Sequence, residues 1–174
     1  MLAGATAIGT ISCLKEKDST SDQYKEWRET NEAYVHNAED SVDETGNAFY
    51  ERLVPSWAPE AYVLIHWYND RAQTANNLSP MDNSTVKITY ELFNINGDTL
   101  ATSFAAADSV YISKPNNNII GVWASLTQMH VGDSVRLVIP YKAGYGDVSY
   151  GGIPPYSTLI YNVKLKAITA YEVE

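Results

Sequence analysis

A single cysteine, Cys13, stands in 174 residues, so no intrachain disulfide can staple this fold. Basic residues are also scarce. Twelve Lys and Arg face 21 Asp and Glu, leave a formal charge of −9 and form no run anywhere. A surface that neutralises phosphates is therefore disfavoured, and nucleic acid is not an expected partner. Phenylalanine occurs three times against 13 tyrosines and four tryptophans, so most rings carry one polar end, which suits strands and surface grooves. The three histidines, His36, His66 and His130, share no ligand spacing. No phosphate-cradling glycine loop, dinucleotide fingerprint, Cys/His cluster or Ser-His-Asp arrangement is present, so neither a metal nor a cofactor is expected. No apolar run is long enough to span a bilayer. What is present is 45% hydrophobic residues, enough to build a core.

The chain opens "MLAGATAIGTISC", uncharged and rich in small residues up to Cys13, and then turns polar as "LKEKDSTSD". This pattern resembles a bacterial lipoprotein signal, with small Ser12 before the cysteine and a tether after it. It departs from that pattern at Thr10, where a larger aliphatic is usual, and in lacking a basic residue before the apolar segment. The expectation is lipidation at Cys13 and anchoring in the bacterial cell envelope, on the periplasmic or outer-membrane face, several acyl chains giving the stable attachment that one does not. The alternative is a plain N-terminus with a buried free thiol.

Residues 14–22 read as the tether. Residues 22–53 then carry Tyr24, Trp27 and Tyr34 at helical spacing among charged neighbours, with Asp22 as N-cap, predicting one or two helices packed by an aromatic stripe. Pro55 and Pro59 end that pattern. From Ala61 the period becomes two: "AYVLIHWY" (61–68), "TVKITYELF" (85–93), "TLATSF" (99–104) after an Asn-Gly turn, "DSVYIS" (108–113), "SVRLVIP" (134–140) and "STLIYNVKLKAI" (157–168). One segment, "IIGVWASLTQMHVGD" (119–133), has helical period through Val122, Leu126 and Met129, with Gly132 placed to end the helix. One short helix among about six antiparallel strands, the sheet wrapped over that helix, makes the fold class α+β. Three regions are expected: 1–13 as the signal-type segment, 14–60 as tether and helical extension, and 61–174 as the domain. Between the last two strands lies "YKAGYGDVSYGGIPPY", a loop too long to be a mere connection in a compact domain.

Residues 119–165 combine a short helix ending in Gln-Met-His-Val-Gly, a strand ending in Ile-Pro, a Tyr-Gly pair, and Ile-Pro-Pro before the last strand. This order resembles the FKBP-type peptidyl-prolyl cis-trans isomerases, and "VKITYELFNINGDTL" (86–100) extends the resemblance upstream. The resemblance implies an antiparallel half-barrel of five to six strands wrapped on one short helix. It also implies a proline slot between the helix N-terminus and the long loop, and proline-containing polypeptides and a macrolide as its ligands. Carried over residue by residue, the site residues are Tyr90, Ile119 (through its N–H), Tyr145, Ile153 and Tyr161, the last standing where the family has phenylalanine. The Phe-Asp pair after the Asn-Gly turn is Leu100-Ala101 here, and the tryptophan of the slot floor aligns with Val122. Trp123 is one residue on, about 100° round the helix, and so is expected to leave the slot.

Such a slot needs no nucleophile and no acid–base pair. The barrier of about 18–20 kcal/mol comes from amide resonance. Twisting the bond makes its carbonyl less polar, so a dry apolar slot favours the twisted state. The resemblance thus implies an envelope folding helper that isomerises X-Pro bonds. The losses at Leu100, Ala101 and Val122 keep open a catalytically degenerate peptide- or protein-binding lipoprotein. Exposed rings such as Trp57, Trp67 and Trp123 keep open a third, glycan-binding reading.

Overall fold

A computed structural model describes residues 22–105 and 108–171. The segment 1–13, with Cys13, lies outside the described residues. Helix α1 runs Lys25–Glu39 and is followed by strands β1 (Glu51–Leu53), β2 (Val63–Trp67), β3 (Thr85–Phe93), β4 (Thr99–Thr102) and β5 (Tyr111–Ser113). Helix α2 (Ile120–Leu126), β6 (Ser134–Ile139) and the long β7 (Leu159–Ala170) complete the chain. The strands form one antiparallel sheet in the order β1-β2-β6-β7-β3-β4, with β5 paired to the other half of β3.

The period-two pattern of β3 decides how the sheet is filled. Val86, Ile88 and Leu92 are buried on one face, and Lys87, Thr89 and Glu91 alternate with them. β7 does the same through Leu159, Val163 and Leu165. These faces, with Val135, Leu137 and Ile139 of β6, close over Val122, Leu126 and Met129 to make the main core. Gly121 lets the helix approach: a Cβ there would lie 2.6 Å from Ile139 Cγ2.

The sheet begins at Glu51, earlier than the expected boundary at 61, because β1 pairs with β2 from Glu51↔Ile65 to Leu53↔Val63. The 22–53 segment therefore contains helix α1 and a strand. The N-cap of α1 is Tyr24, which makes no side-chain cap, and not Asp22. The helix lies against the outer face of the sheet, where Val35 and Ala38 pack on Leu64 and Val138. Asn31, fully buried, accepts the Thr158 N–H at 2.7 Å and donates through Nδ2 to the Trp27 carbonyl, while Trp27 Nε1 donates to Ser157 Oγ. β2 is accordingly buried on both faces, with Val63 and Ile65 inward and Leu64 outward.

Helix α2 ends at Leu126 with Thr127 as its C-cap, so Gly132 is not its terminator. Gly132 instead donates its N–H to the Leu165 carbonyl, and the following Asp133 is fully buried. The Asp133 carboxylate accepts from the His130 N–H (2.8 Å), Asn69 Nδ2 (3.0 Å) and Thr74 Oγ1 (2.5 Å), with Arg71 Nε at 3.8 Å. This knot ties the polar loop 69–84 to the turn before β6.

Candidate functional site

A cleft of about 500 Å³ opens between β3, β7, the N-terminal end of α2 and the long loop. β3 supplies Ile88, Tyr90 and Leu92, and β7 supplies Tyr161 and Val163. Antiparallel pairing aligns these two strands as Leu92↔Tyr161 and Tyr90↔Val163, so their inward residues form one continuous wall. Val122 lies across from them, 3% exposed, and Ile119 sits just before the helix, its carbonyl accepting the Trp123 N–H at 3.0 Å. The N–H groups at this end precede any helical carbonyl that could accept them, which is the usual condition for holding a ligand oxygen.

The long loop is knit into place by its own backbone. A 3-10 turn at Tyr141–Ala143 starts it, and the Tyr156 N–H closes on the Gly146 carbonyl at 2.9 Å. At its tip Tyr150 and Ile153 exchange two hydrogen bonds around Gly151 and Gly152, both with positive φ as a two-residue hairpin turn demands. Tyr150 therefore stacks on Tyr145 at 4.3 Å between ring centroids, and both line the cleft.

Of the residues expected at the site, Tyr90, Ala101, Ile119, Val122, Tyr145 and Tyr161 line this one cleft. Two do not. Ile153 is buried in the main core, behind the loop tip. Leu100 is 38% exposed, because pairing Leu92↔Ala101 turns Ala101 inward and strand alternation turns Leu100 outward. Trp123 leaves the cleft, stacks on Trp57 at 4.0 Å and donates to Asp82 Oδ1 at 2.6 Å. Trp67 carries the Arg71 guanidinium over its ring at 3.9 Å.

Tyr111, Tyr150, Asn117 and Asn118 also line the cleft, beyond the residues that the family resemblance implies. Tyr111 arrives by pairing with Ile88, and its ring meets Tyr90 edge-on at 5.5 Å. Ile88, Leu92 and Val163 were readable from alternation alone, being two residues from Tyr90 or Tyr161.

The cleft is rich in tyrosine, and among the described residues none that lines it is Asp, Glu, Lys, Arg or His. Burial pushes the Tyr161 phenol far above its ordinary value, with Tyr145 and Tyr90 adding to the shift. Burial also raises Tyr145, with Tyr150 next, and Tyr90, with Tyr111 next. All three phenols thus stay protonated through the physiological range. Chemically, the cleft can bind a neutral ring, exclude water and offer O–H and N–H donors. Among the described residues it holds no side chain suited to proton abstraction at neutral pH.

Comparison with known proteins agrees with this geometry. Residues 77–166, more than half of the chain, match the sequence profile described as FKBP-type peptidyl-prolyl cis-trans isomerase. The FKBP-type peptidyl-prolyl cis-trans isomerase FkpA of Escherichia coli K12 is 32% identical over 88 residues, 50% of this chain and 32% of that protein. The match thus spans about a third of that relative's length. FK506-binding protein 1 of Gibberella zeae is 40% identical over 73 residues, 41% of this chain and 66% of its own. The crystal structure of a peptidyl-prolyl cis-trans isomerase from Pseudomonas syringae superposes with a TM-score of 0.67 at 18% identity, covering 84% of this chain and 96% of that one. With fold, cleft and matched segment coinciding, the chain belongs to the FKBP-type peptidyl-prolyl cis-trans isomerase family.

Proposed function

We propose that this chain isomerises X-Pro peptide bonds in the Tyr-lined cleft and assists the folding of other proteins in the bacterial cell envelope, to which Cys13 tethers it by lipid. The observation that carries the reading is the convergence of Tyr90, Ile119, Tyr145 and Tyr161 on one uncharged cleft. A prolyl ring enters the cleft against the wall formed by Tyr90 and Tyr161, whose rings meet at 5.9 Å between centroids. Donors at the Ile119 end of α2 hold the substrate carbonyl. Water is displaced, so the less polar twisted amide gains on the planar one. Uncatalysed exchange takes tens to hundreds of seconds, leaving room for a catalyst. Cis-to-trans exchange of a proline tetrapeptide, with and without a rapamycin-type macrolide as competitor, tests the activity. Macrolide-sensitive acceleration is expected, and a rate equal to the uncatalysed one removes the enzyme reading. Labelling with radioactive palmitate, lost in Cys13→Ala, tests the anchor.

A second reading, a binding module that has lost turnover, draws on Ala101, a methyl where the family has a carboxylate, and on Val122 as the floor. It predicts peptide binding without acceleration, and gain of turnover in Ala101→Asp/Val122→Trp. Ordinary turnover in the unaltered protein overturns it.

A further inference from the structure

The Tyr161 phenol sits where water is largely excluded, and among the described residues Tyr145 is the side chain hydrogen-bonded to it. Tyr90 approaches it through the ring instead, at 5.9 Å between centroids. Two hydroxyls that share one bond leave one proton free, so the direction of donation matters. If Tyr145 donated, the Tyr161 proton would be turned among Ile88, Leu92, Val122 and Val163, all 3% exposed or less and none able to accept it. A buried donor without an acceptor is costly. If Tyr161 donates, its proton is satisfied, and the Tyr145 proton is left free at the mouth of the cleft, beside the exposed Tyr150. The second arrangement is the one that wastes no bond.

The two tyrosines also differ in how they are held. Tyr161 lies on a central strand, paired with Leu137 on one side and Leu92 on the other. Tyr145 lies on the long loop, where Tyr150 stacks on its ring at 4.3 Å. Stacking fixes the plane of that ring but not the rotation of its hydroxyl, which the bond from Tyr161 does fix. We infer that Tyr161 is a positioning residue: its hydroxyl donates to Tyr145 and so aims the Tyr145 proton at a carbonyl oxygen of the bound peptide. This rests on the isomerase reading above and assigns a role within that same cleft. The carbonyl is one that flanks the isomerising bond, because a donor on the twisting carbonyl itself would favour the planar, more polar state. A hydroxyl that accepts one bond donates the next more strongly, and one oriented before the peptide arrives lowers the ordering cost of binding.

The test is a double-mutant cycle. Tyr161→Phe removes the oxygen and keeps the ring, and Tyr145→Phe removes the group through which it acts. The unaltered, single and double variants are compared for kcat/KM on Ala-Ala-Pro-Phe by NMR exchange spectroscopy. Tyr161→Phe alone is expected to lower kcat/KM about fivefold, the scale of one neutral hydrogen bond. In the Tyr145→Phe background the same change is expected to have no further effect, since the hydroxyl it orients is gone. A packing role for Tyr161 would lower the rate equally in both backgrounds. That additivity overturns the inference, as does an unchanged rate in Tyr161→Phe. Without any substrate, the Tyr145 phenol, followed through its Cζ resonance, should titrate at higher pH in Tyr161→Phe, because the accepted bond favours its ionised form. An unmoved titration also overturns the inference. No acceleration by the unaltered protein removes the isomerase reading instead. The cycle is then read in the affinity for the same peptide by chemical-shift perturbation, where a loss that requires Tyr145 supports the inference, and additive losses or absent binding overturn it.

Discussion

The two faces of the sheet solve the same burial problem by different means. The inner face is built of aliphatic side chains and tyrosines, grips α2 through Val122, Leu126 and Met129, and leaves one end open as the cleft. The outer face has a small apolar contact, Val35 and Ala38 on Leu64 and Val138, set beside a neutral polar seam of Asn31, Thr158, Trp27 and Ser157. The inner face gains stability from area and keeps a free volume for a ligand. The outer face gains specificity from a few directional bonds that fix where α1 sits. Hydrophobic contact alone would let that helix slide, whereas a buried amide bonded to one backbone N–H does not.

The largest expected effect tests this difference with one residue type on adjacent strands. Leu137 faces inward and Leu64 outward, each 1% exposed. Leu137→Ala should cost about 2–5 kcal/mol by urea unfolding, and Leu64→Ala should fall at the low end of that range, because its smaller cluster can relax around the gap. A costlier Leu64→Ala would mean that the outer seam is the main support of the fold. Next in size, Gly121→Ala presses a methyl onto Ile139 and should cost about 1–3 kcal/mol, with loss of cleft function as α2 shifts. Asn31→Ala leaves the Thr158 N–H unpaired and should cost about 1–3 kcal/mol. Its kcat/KM should stay unchanged, since the seam lies on the face away from the cleft.

The inner face was the more legible one, for a physical reason. Strand alternation and the Val122/Leu126/Met129 stripe repeat, so several residues report the same face, and the 100° step sends Trp123 away from the cleft, where it meets Trp57. The outer seam depends on single polar residues. Asn31 in a charged helix looks like a solvent-facing residue until the Thr158 backbone is brought to it from 127 residues away. The same holds within the cleft. Tyr90 and Tyr161 sit on regular strands, while Tyr150 reaches the cleft only through a turn at Gly151-Gly152, and Tyr111 only through its pairing with Ile88. Leu100 and Ile153 are site candidates through the family resemblance alone. Alternation on β4 and burial behind the loop tip set them off the cleft lining.

The smallest effect separates the two faces by charge. The outer seam is neutral and should not titrate, whereas the knot beneath the inner face is built on the buried Asp133 carboxylate. Burial works against that charge, but hydrogen bonds from the His130 N–H, Thr74 and Asn69, with Arg71 nearby, outweigh it and hold Asp133 below the ordinary value of 3.8. A carboxyl depressed on folding binds its proton less readily in the folded than in the unfolded chain. Its contribution to stability is therefore fully present above the unfolded value and is lost as pH falls through the folded one. The thermal midpoint of the unaltered protein should drop on acidification below about pH 4, and the slope of that drop should be shallower in Asp133→Asn, whatever its absolute stability. Asn31→Ala, which removes no ionisable group, should give a curve parallel to the unaltered protein. An Asp133→Asn curve with the original slope would place the acid-sensitive charge elsewhere and leave the knot as a contributor of packing alone.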